Sequence, residues 1–278
     1  MKKSNYSVFY RDVRQSGIEY AVAHTVDMGY DGVEIFDVCS PSRWLNDRSK
    51  MLELKTLLHK NNLPVSCFSV AINLLSEDID NVMKHAREQV EYAAELGSPY
   101  FHHTLAPTLK FEKLKYSFDE ALMRVIDNAE KIAKRCNELG VVCLYEPQGA
   151  YFNGVENLER LLLEVRGRGY NVGICGDLGN SLFADCQPIE VFRYFFDEIK
   201  HIHVKDYTVS ETPAEGAYVS LGGKYIVDAP VGQGNADIKS CLGCLKGYDG
   251  FYSFEVKEPD GEMKKAFDTV ERIVYQKQ

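Results

Sequence analysis

The sequence has no long apolar run and no excess of basic residues, and both absences limit what the protein does. No stretch approaches the roughly 20 consecutive apolar residues that a membrane-spanning helix requires. The formal net charge is -9 at pH 7, whereas proteins that bind phosphate backbones cluster lysine and arginine. We therefore expect neither a nucleic acid nor a membrane as a partner.

Two further absences concern secretion and disulfide bonding. The N-terminal lysines are not followed by an apolar stretch, so we expect no secretory signal and predict a cytoplasmic protein. The 8 cysteines are scattered, and Cys67, Cys143 and Cys175 fall inside predicted strands, where a thiol acts as a small apolar group. We expect them to stay reduced in the cytosol. Cys241 and Cys244 form a CxxC pair without a second pair, which favours a structural role over a zinc or redox site.

What the sequence does contain is a repeated alternation of short apolar runs and longer helical patterns, which is typical of βα units and a parallel sheet. Eight such units follow one another without a linker, and 278 residues suit a barrel of about 250 residues. We therefore predict the α/β class, as one (β/α)8 TIM-barrel domain over residues 1–278. The predicted strands are residues 6–10, 32–36, 63–70, 100–104, 141–146, 171–176, 201–205 and 251–256. The predicted helices are residues 17–28, 47–60, 79–96, 118–139, 155–165, 188–196, a helix beginning near 237, and 263–275.

One connection departs from this rhythm. Residues 207–235 form a long, glycine-rich segment after the seventh predicted strand. Long connections inside compact domains often act as lids over a site. We expect a lid here, with a short strand or hairpin arm over residues 224–227, although an insertion without functional consequence gives the same pattern.

Four predicted strands in the second half of the chain end at a metal-binding side chain: Glu146, Asp177, His203 and Glu255. The C-terminal ends of barrel strands meet at one mouth, so we expect these side chains around one point. Three carboxylates and one imidazole form a hard, mostly oxygen ligand set that suits Mn²⁺, Mg²⁺ or Co²⁺. We predict one divalent cation here, with Mn²⁺ favoured. Asp177 also begins a run, DLGN, that a plain turn would produce.

Glu146 and Glu255 end strands five and eight, which lie three apart in an eight-stranded barrel, so their carboxylates would flank a central ligand. Two bases on opposite faces of a sugar are what inversion at carbon requires, so both glutamates are candidate catalytic residues. In strand seven, alternation places His201, His203 and Lys205 on one face. Three polar residues inside a barrel are costly unless that face opens into a site, which would place Lys205 beside the substrate.

Two further strands offer substrate contacts. His102 and His103 end strand four, and alternation lets only one of them face inward; we favour His103. Glu34 in strand two is a candidate for holding a substrate hydroxyl, and a structural hydrogen bond explains it equally well. Tyr10 and Arg11 are weaker candidates for lining the pocket.

Several motifs occur in a specific order along almost the whole chain. They are MGYDGVEIF at 28–36, DLGN at 177–180, HIHVKD at 201–206, VGQGN at 231–235, GYDG at 247–250 and SFE at 253–255. Together they resemble the xylose isomerase-like TIM-barrel superfamily, in particular its sugar and sugar-phosphate isomerases and epimerases.

The resemblance implies a divalent cation held by Glu146, Asp177, His203 and Glu255. In the keto-sugar 3-epimerases of this superfamily, the metal chelates the substrate carbonyl and a neighbouring hydroxyl. One glutamate removes a carbon-bound proton, a metal-stabilised enediolate forms, and the other glutamate returns a proton. Carried over by position, Glu146 and Glu255 are that acid/base pair as well as ligands. The implied partner is a small sugar: a ketose, a keto-polyol or a sugar phosphate. Related barrels often form dimers or tetramers, so a homo-oligomer is open.

The sequence departs from the free-sugar epimerases at two positions. Asn180 stands where those enzymes often carry a substrate-contacting histidine, and Val209 stands where an arginine is common. We therefore expect Asn180 to contact the substrate, and Lys205 or Lys257 to hydrogen-bond its hydroxyls or a phosphate. No P-loop or similar phosphate-binding turn is visible, which favours a free sugar.

Three other functions compete with an isomerase or epimerase. The same chemistry with a leaving group next to the carbanion gives elimination, so a lyase or dehydratase on a keto-sugar, keto-inositol or 3-keto-glycoside is the close alternative. A DNA-repair endonuclease family shares this barrel, but it uses many histidines and a basic surface, and this chain has 7 histidines and an acidic balance. A non-catalytic sugar-binding barrel is disfavoured by the intact ligands and bases.

Overall fold

The computed structural model describes residues 1–40, 42–109, 114–256 and 259–275, with the backbone alone for 259–262. The strands are β1 Lys2–Asn5, β2 Gly32–Val38, β3 Val65–Ala71, β4 Tyr100–His103, β5 Val142–Tyr145, β6 Val172–Asp177, β7 Ile199–Val204, β8 Tyr207–Ser210, β9 Tyr218–Val219, β10 Tyr225–Asp228 and β11 Phe251–Phe254. The α-helices are α1 Ser7–Ser16, α2 Ile18–Asp27, α3 Arg48–Lys60, α4 Ile79–Glu95, α5 Phe118–Glu138, α6 Gly154–Gly167, α7 Pro188–Tyr194, α8 Ile238–Cys244 and α9 Pro259–Tyr275.

Eight strands close into one barrel in the order β1-β11-β7-β6-β5-β4-β3-β2. Every pair in this barrel is parallel, and helices connect successive strands. The predicted single-domain (β/α)8 barrel is therefore confirmed. Within the described residues, no helix is both long and apolar enough to cross a membrane.

The prediction for the first strand is wrong. Residues 7–10 lie in α1, and the strand is Lys2–Asn5, a polar stretch without an apolar pattern. It is a barrel strand because its buried Asn5 is paired with the surrounding helices: the Asn5 amide donates to Thr25 Oγ1 at 2.8 Å, and Asn5 Oδ1 accepts the Phe9 backbone N–H at 2.9 Å. Asn5 thereby satisfies a free N–H group in the first turn of α1, where helices lack internal acceptors.

Polar side chains before other helices satisfy the first backbone N–H groups in the same way. The Ser117 hydroxyl accepts from the Glu120 backbone, and the Glu120 carboxylate accepts from the Ser117 backbone, which forms a capping box at α5. Asp47 accepts the Lys50 N–H at 2.9 Å and caps α3. These caps fix where each helix leaves its loop.

The barrel interior changes from apolar to polar along its axis. A small apolar cluster of Cys67, Leu144 and Cys175 lies inside the barrel, apart from the large core that contains most of the buried apolar side chains. Other inward positions, on β3 and β4, carry Ser69 and His102 instead, both buried. A polar half of a closed barrel has to be filled by mutual hydrogen bonds or by a ligand, because an unpaired buried polar group is costly.

The long connection after β7 forms a three-stranded antiparallel sheet in the order β8-β10-β9. The strand expected at residues 224–227 is confirmed as β10. This sheet packs on the short 3₁₀ helix Asn180–Ala184, where the Phe183 ring lies 5.2 Å from Tyr207 and 5.6 Å from Tyr218. The sheet is therefore anchored to the segment that directly follows β6, although its role as a lid stays a prediction.

Asp206 ties the two ends of this insertion together. Its Oδ1 accepts the backbone N–H groups of Tyr207 at 2.9 Å and Ala236 at 3.1 Å. Its Oδ2 accepts those of Gly232 at 3.0 Å and Gly234 at 2.8 Å. A Cβ at Gly234 would lie 2.2 Å from Asp206 Oδ1, so the close approach requires glycine. The motif HVKD and the later VGQGN are thus two halves of one hydrogen-bonded turn.

We predict that Asp206→Asn destabilises the protein although it preserves the side-chain shape. Each carboxylate oxygen of Asp206 accepts two N–H groups, so either orientation of the amide turns its NH2 group toward two donors. An unsatisfied buried N–H costs about 1–3 kcal/mol. Chemical denaturation should show a lower free energy of unfolding, while Asp249→Asn, at an exposed position, is the control and should leave it unchanged. Equal stability of both variants would contradict this account.

Candidate metal centre

The structure brings the four predicted metal ligands together. Glu146 Oε2 lies 3.3 Å from Nδ1 of His203, Glu255 Oε2 lies 3.6 Å from it, and Asp177 Oδ2 lies 3.7 Å from it. The carboxylates come from the C-terminal ends of β5, β6 and β11, and the imidazole comes from β7. Three carboxylate oxygens therefore surround one ring nitrogen at the mouth of the barrel.

Glu34 lies below this point and orients His203. It is fully buried, and its two oxygens accept from His203 Nε2 at 2.9 Å, from His201 Nε2 at 2.7 Å and from the Ser69 hydroxyl. Burial alone would raise the pKa of the Glu34 carboxyl, but His203 and His201 hold it well below its ordinary value. An ionised carboxylate can only accept, so both histidines donate through Nε2. Nδ1 of His203 is then the ring nitrogen that faces the mouth. Metal-binding histidines often have this arrangement, in which a carboxylate accepts from the other ring nitrogen.

Nδ1 of His203 lies among negatively charged carboxylates. Burial lowers the pKa of His203, but the carboxylates of Glu34 and Asp177 help to raise it well above its ordinary value. In this environment Nδ1 is therefore protonated when no cation is bound. A metal ion competes with that proton for the same lone pair.

Asp177 forms the turn after β6 with one oxygen and faces the ligand cluster with the other. Its Oδ1 accepts the backbone N–H groups of Gly179 at 2.8 Å and Asn180 at 2.6 Å, which forms the tight turn after β6. Its Oδ2 is buried and makes no hydrogen bond of good geometry. This second oxygen points at the cluster, 3.0 Å from Lys205 Nζ. The turn thus leaves one oxygen available as a ligand.

Lys205 and Asn180 complete the cluster. Lys205 Nζ lies 2.5 Å from Glu255 Oε2 and 3.2 Å from Asn180 Oδ1, and the residue is 6% exposed. Burial lowers the pKa of Lys205, but Asp177 and Glu255 raise it well above its ordinary value, so the amine stays charged. Asn180 also donates its amide to Glu146 Oε2 at 3.3 Å. Contact of either residue with a substrate stays a prediction.

The charges in this cluster do not balance without a further cation. Four carboxylates lie close together: Glu34, Glu146, Asp177 and Glu255. Lys205 and a protonated His203 offset only part of that charge. Buried charges of one sign are strongly unfavourable unless they are compensated. The surplus of carboxylate oxygens therefore fits a divalent cation.

Three side-chain groups among the described residues have metal-binding spacing, and all of them share His203. They are Glu34–His201–His203, Glu146–Cys175–His203 and Asp177–His203–Glu255. In the first group, Glu34 already accepts both ring N–H groups directly. In the second, burial raises the pKa of the Cys175 thiol to about 12, and a neutral thiol is a poor ligand for a hard cation. The third group faces the mouth, and with Glu146 it gives the oxygen-rich site.

Two expected substrate contacts are not placed at the mouth. His103 packs its ring against Phe101 and Tyr145, with centroids 6.0 and 5.1 Å apart, because it shares the helix-facing side of β4 with Phe101. The inward histidine is His102, whose Nε2 lies 3.4 Å from Glu146 Oε1. The apolar residue Phe101 indicates the alternation: it packs on the helix side of β4, so His103 shares that side and His102 faces inward. Glu34 is buried beneath the cluster and accepts hydrogen bonds from His201 and His203. It therefore orients these two rings and does not face the mouth.

Tyr6 was missed because residues 6–10 were expected to be a strand. At the start of α1, its ring lies 5.2 Å from that of His203 and 5.4 Å from that of Phe36. Tyr10 extends this aromatic side of the cluster, with its ring 5.0 Å from Phe36. Burial and Glu255 raise the pKa of the Tyr6 phenol well above its ordinary value, so the hydroxyl stays neutral. Lys257, another expected contact, lies outside the described residues.

The chain belongs to the xylose isomerase-like TIM-barrel family, whose sequence profile matches residues 22–273. No curated protein sequence matches the chain. The identity to solved structures is low, and that likeness shows the fold.

Three solved structures illustrate the likeness. A xylose isomerase-like TIM-barrel protein from Mycobacterium smegmatis in complex with magnesium has a TM-score of 0.73 at 15% identity, covering 99% of this chain and 97% of that one. The 3-keto-D-glucoside 4-epimerase YcjR from E. coli has a TM-score of 0.69 at 17% identity, covering 98% and 97%. The probable 3-DHS dehydratase AsbF from Bacillus anthracis has a TM-score of 0.72 at 14% identity, covering 100% of both chains.

We predict that Asp177→Asn removes a metal ligand without breaking the turn. The amide oxygen can take the place of Oδ1 and accept from Gly179 and Asn180, which leaves the NH2 group where Oδ2 faced the cluster. Wild-type protein should be stabilised by about 2.7 kcal/mol at a Mn²⁺ concentration 100 times the dissociation constant. Thermal unfolding with and without Mn²⁺ measures this difference, and the variant should lose it at the same concentration. The metal-free variant should be folded; undiminished stabilisation by Mn²⁺ would exclude Asp177 as a ligand.

Proposed function

We propose that the protein is a divalent-metal-dependent sugar isomerase or epimerase that acts on a ketose, keto-polyol or sugar phosphate by proton transfer at carbon. The observation that carries this proposal is the convergence of Glu146 and Glu255, both within 3.6 Å of His203 Nδ1, at the mouth of the barrel. Glu146, Asp177, His203 and Glu255 would hold the cation. When bound, it would stabilise the negative charge that develops on oxygen as a neighbouring carbon loses its proton.

The two glutamates differ in ways that suit separate roles in proton transfer. Glu255 has a side chain that is 29% exposed, and burial raises the pKa of its carboxyl although Lys205 and His203 oppose this. The Glu146 side chain is only 3% exposed; burial would raise its pKa, but His102 and His203 lower it. Glu255 is therefore the more accessible acid/base group, and Glu146 completes the pair.

The neighbouring side chains suit a hydroxyl-rich substrate. Lys205 and Asn180 present an ammonium and an amide beside the glutamates, where both can hydrogen-bond hydroxyl groups. Tyr6 and Phe36 line one side with rings that can pack on the apolar face of a sugar. The related E. coli enzyme epimerises a 3-keto-D-glucoside, which agrees with a keto-sugar substrate.

A metal-dependent lyase or dehydratase on a keto-sugar, keto-inositol or 3-keto-glycoside is the second candidate. It is favoured by the charged Lys205, which lies 2.5 Å from Glu255 and can give a proton to a leaving oxygen next to the carbanion. The dehydratase from Bacillus anthracis shares the fold. Incorporation of solvent deuterium without loss of water or aglycone would separate the epimerase from this alternative.

The use of Mn²⁺, a cytoplasmic location and a homo-oligomer stay predictions. The oxygen-rich ligand set equally suits Mg²⁺, and the related M. smegmatis structure is in complex with magnesium.

We predict that Glu146→Gln and Glu255→Gln each abolish exchange of the substrate's carbon-bound proton with solvent. The amide preserves size but cannot act as a base, and a positioned acid/base group contributes about 10²- to 10⁴-fold in rate. The assay follows deuterium uptake by NMR on a panel of ketoses, keto-polyols and 3-keto-glycosides with Mn²⁺. Glu164→Gln, an exposed glutamate on α6, should behave like the wild type.

The result is informative for each glutamate separately. Full exchange in either variant would refute the acid/base role of that residue. No exchange with any panel member in the wild type, combined with binding of a panel sugar, would favour a non-catalytic sugar-binding barrel.

A further inference from the structure

A groove on the outer surface of the barrel lies between α4 and α5. It has a volume of about 650 Å³, and none of its lining residues belongs to the ligand cluster at the mouth. Its apolar lining consists of Met83, which is half-buried, and of Val90 and Ile132, which are buried. Ligand sites in proteins commonly have volumes of about 300–1,000 Å³. The groove is therefore large enough to hold several side chains of another molecule.

Positive charge is in surplus around this groove. The chain has a formal net charge of -9. Among the described residues, however, five cationic side chains line the groove against two carboxylates, Asp80 and Glu138. The cations come from both helices and are Lys84, Arg87, Lys131, Lys134 and Arg135. All of them except Arg135 are exposed. A cationic rim on an otherwise acidic protein favours an anionic partner.

Internal ion pairs use only part of this charge. The two arginines share Glu91, which lies 2.9 Å from Arg135 and 3.6 Å from Arg87. Neither Lys84 nor Lys134 makes an ion pair with any residue that the structure describes. These two lysines therefore present their charge to solvent, one from each side of the groove.

The helix pairs on either side of the groove differ from it. Between α5 and the end of α6, Arg168 alone pairs with two carboxylates, Asp127 at 2.9 Å and Glu130. Between α3 and α4, Arg48 pairs with Glu95 at 2.6 Å. In both places the cations are matched by carboxylates of the neighbouring helix. The unmatched positive charge is therefore a local feature of the groove between α4 and α5.

Shape and charge together select the kind of partner. On α4 the lining runs from residue 80 to residue 90, about 15 Å along the helix axis, which suits about three turns of a helix better than one small anion. A flat bilayer does not enter a concave groove, and a phosphate backbone gains nothing from an apolar lining. A second copy related by a two-fold axis would place the same cations opposite each other.

We propose that the groove between α4 and α5 docks an acidic amphipathic helix of a partner protein. The apolar face of that helix would pack on Met83 and the apolar lining, and its carboxylates would meet Lys84 and Lys134. An amphipathic helix in an apolar groove is a recurring mode of peptide recognition. The flexible thioether of Met83 suits such a surface, because it adapts to different apolar side chains. The inference goes beyond the proposed function and does not depend on the cation at the mouth.

Fluorescence anisotropy on the full chain tests the proposal with a labelled peptide that has leucine at i, i+3, i+4 and i+7 and glutamate between. A peptide of the same composition in scrambled order is the comparison. The amphipathic peptide should bind at least about tenfold more tightly, which is the effect of one well-buried apolar side chain. Its affinity should fall between about 0.15 and 1 M salt, as the Debye length drops from about 8 to 3 Å. No binding, or equal binding of both peptides, would overturn the proposal.

Charge reversal tests the rim separately from the apolar lining. Lys84→Glu combined with Lys134→Glu should weaken binding of the amphipathic peptide at least about tenfold, because like charges then face each other. Lys239→Glu combined with Lys264→Glu is the matched control on exposed positions of α8 and α9. Met83→Gln should lose most of the preference for the amphipathic peptide. Wild-type affinity in the groove double variant would overturn the proposal.

The other occupants give different results. Displacement of the peptide by inorganic phosphate, with full affinity in Met83→Gln, would make the groove a simple anion site. Sedimentation of the wild type as a dimer that the Lys84→Glu, Lys134→Glu variant loses would assign the groove to a second copy. Cosedimentation with phosphatidylserine vesicles, lost in the same variant, would assign it to a membrane. Each of these outcomes would overturn the proposed partner.

Methyl NMR of methionine-labelled wild type locates the peptide without any substitution in the groove. The Met83 methyl signal should shift when the amphipathic peptide is added. Met123 is the control in the same spectrum, because it is 68% exposed on α5 and lies one turn from Asp119 and Asp127, which pair with arginines of α6 and its end. A shift of Met123 with an unchanged Met83 signal would overturn the proposal.

Discussion

The buried carboxylate of Glu34 is the interaction on which the site depends. It accepts directly from Ser69, His201 and His203, and it acts on His102 through Ser69. An ionised group in a closed barrel is tolerated only when donors surround it. By recruiting those donors it fixes the directions in which three imidazole rings point. The side chains that meet at the mouth are consequently oriented from below, before any ligand arrives.

A second carboxylate, Asp206, stabilises the insertion that follows β7. The insertion between β7 and α8 would otherwise be a long, glycine-rich connection, but four backbone N–H groups converge on this side chain. The inserted sheet packs on Phe183. This residue lies three positions after Asn180, whose backbone N–H donates to Asp177. A Cβ at Gly179 would meet the Tyr207 ring at 2.7 Å. The turn that carries a proposed ligand and the insertion are thus in direct contact.

Much of this could be predicted from the sequence. Regular alternation of strands and helices indicated the closed barrel, and ligand-type side chains at strand ends indicated where Glu146, Asp177, His203 and Glu255 meet. The failures have physical causes. The first strand is polar, and its pairing with β11 at the far end of the described chain is something that no local pattern reveals. The choice of His103 over His102 failed because the end of a four-residue strand gives little alternation to read, and Phe101 was the better guide. Glu34 looked like a lone strand glutamate because its partners, His201 and His203, lie 167 and 169 residues away.

The barrel closes at a seam between the first strand and the last barrel strand. The first strand, β1, pairs with the last, β11, and β11 also pairs with β7. Glu255 follows β11 directly, so this carboxylate reaches the mouth only when the final strand enters between its two neighbours. A nascent chain that has emerged only as far as β7 already carries Glu34, Glu146, Asp177 and His203, but its barrel is still open to water. The proposed ligand set is therefore complete only when β11 lies between β1 and β7 and the cylinder is closed.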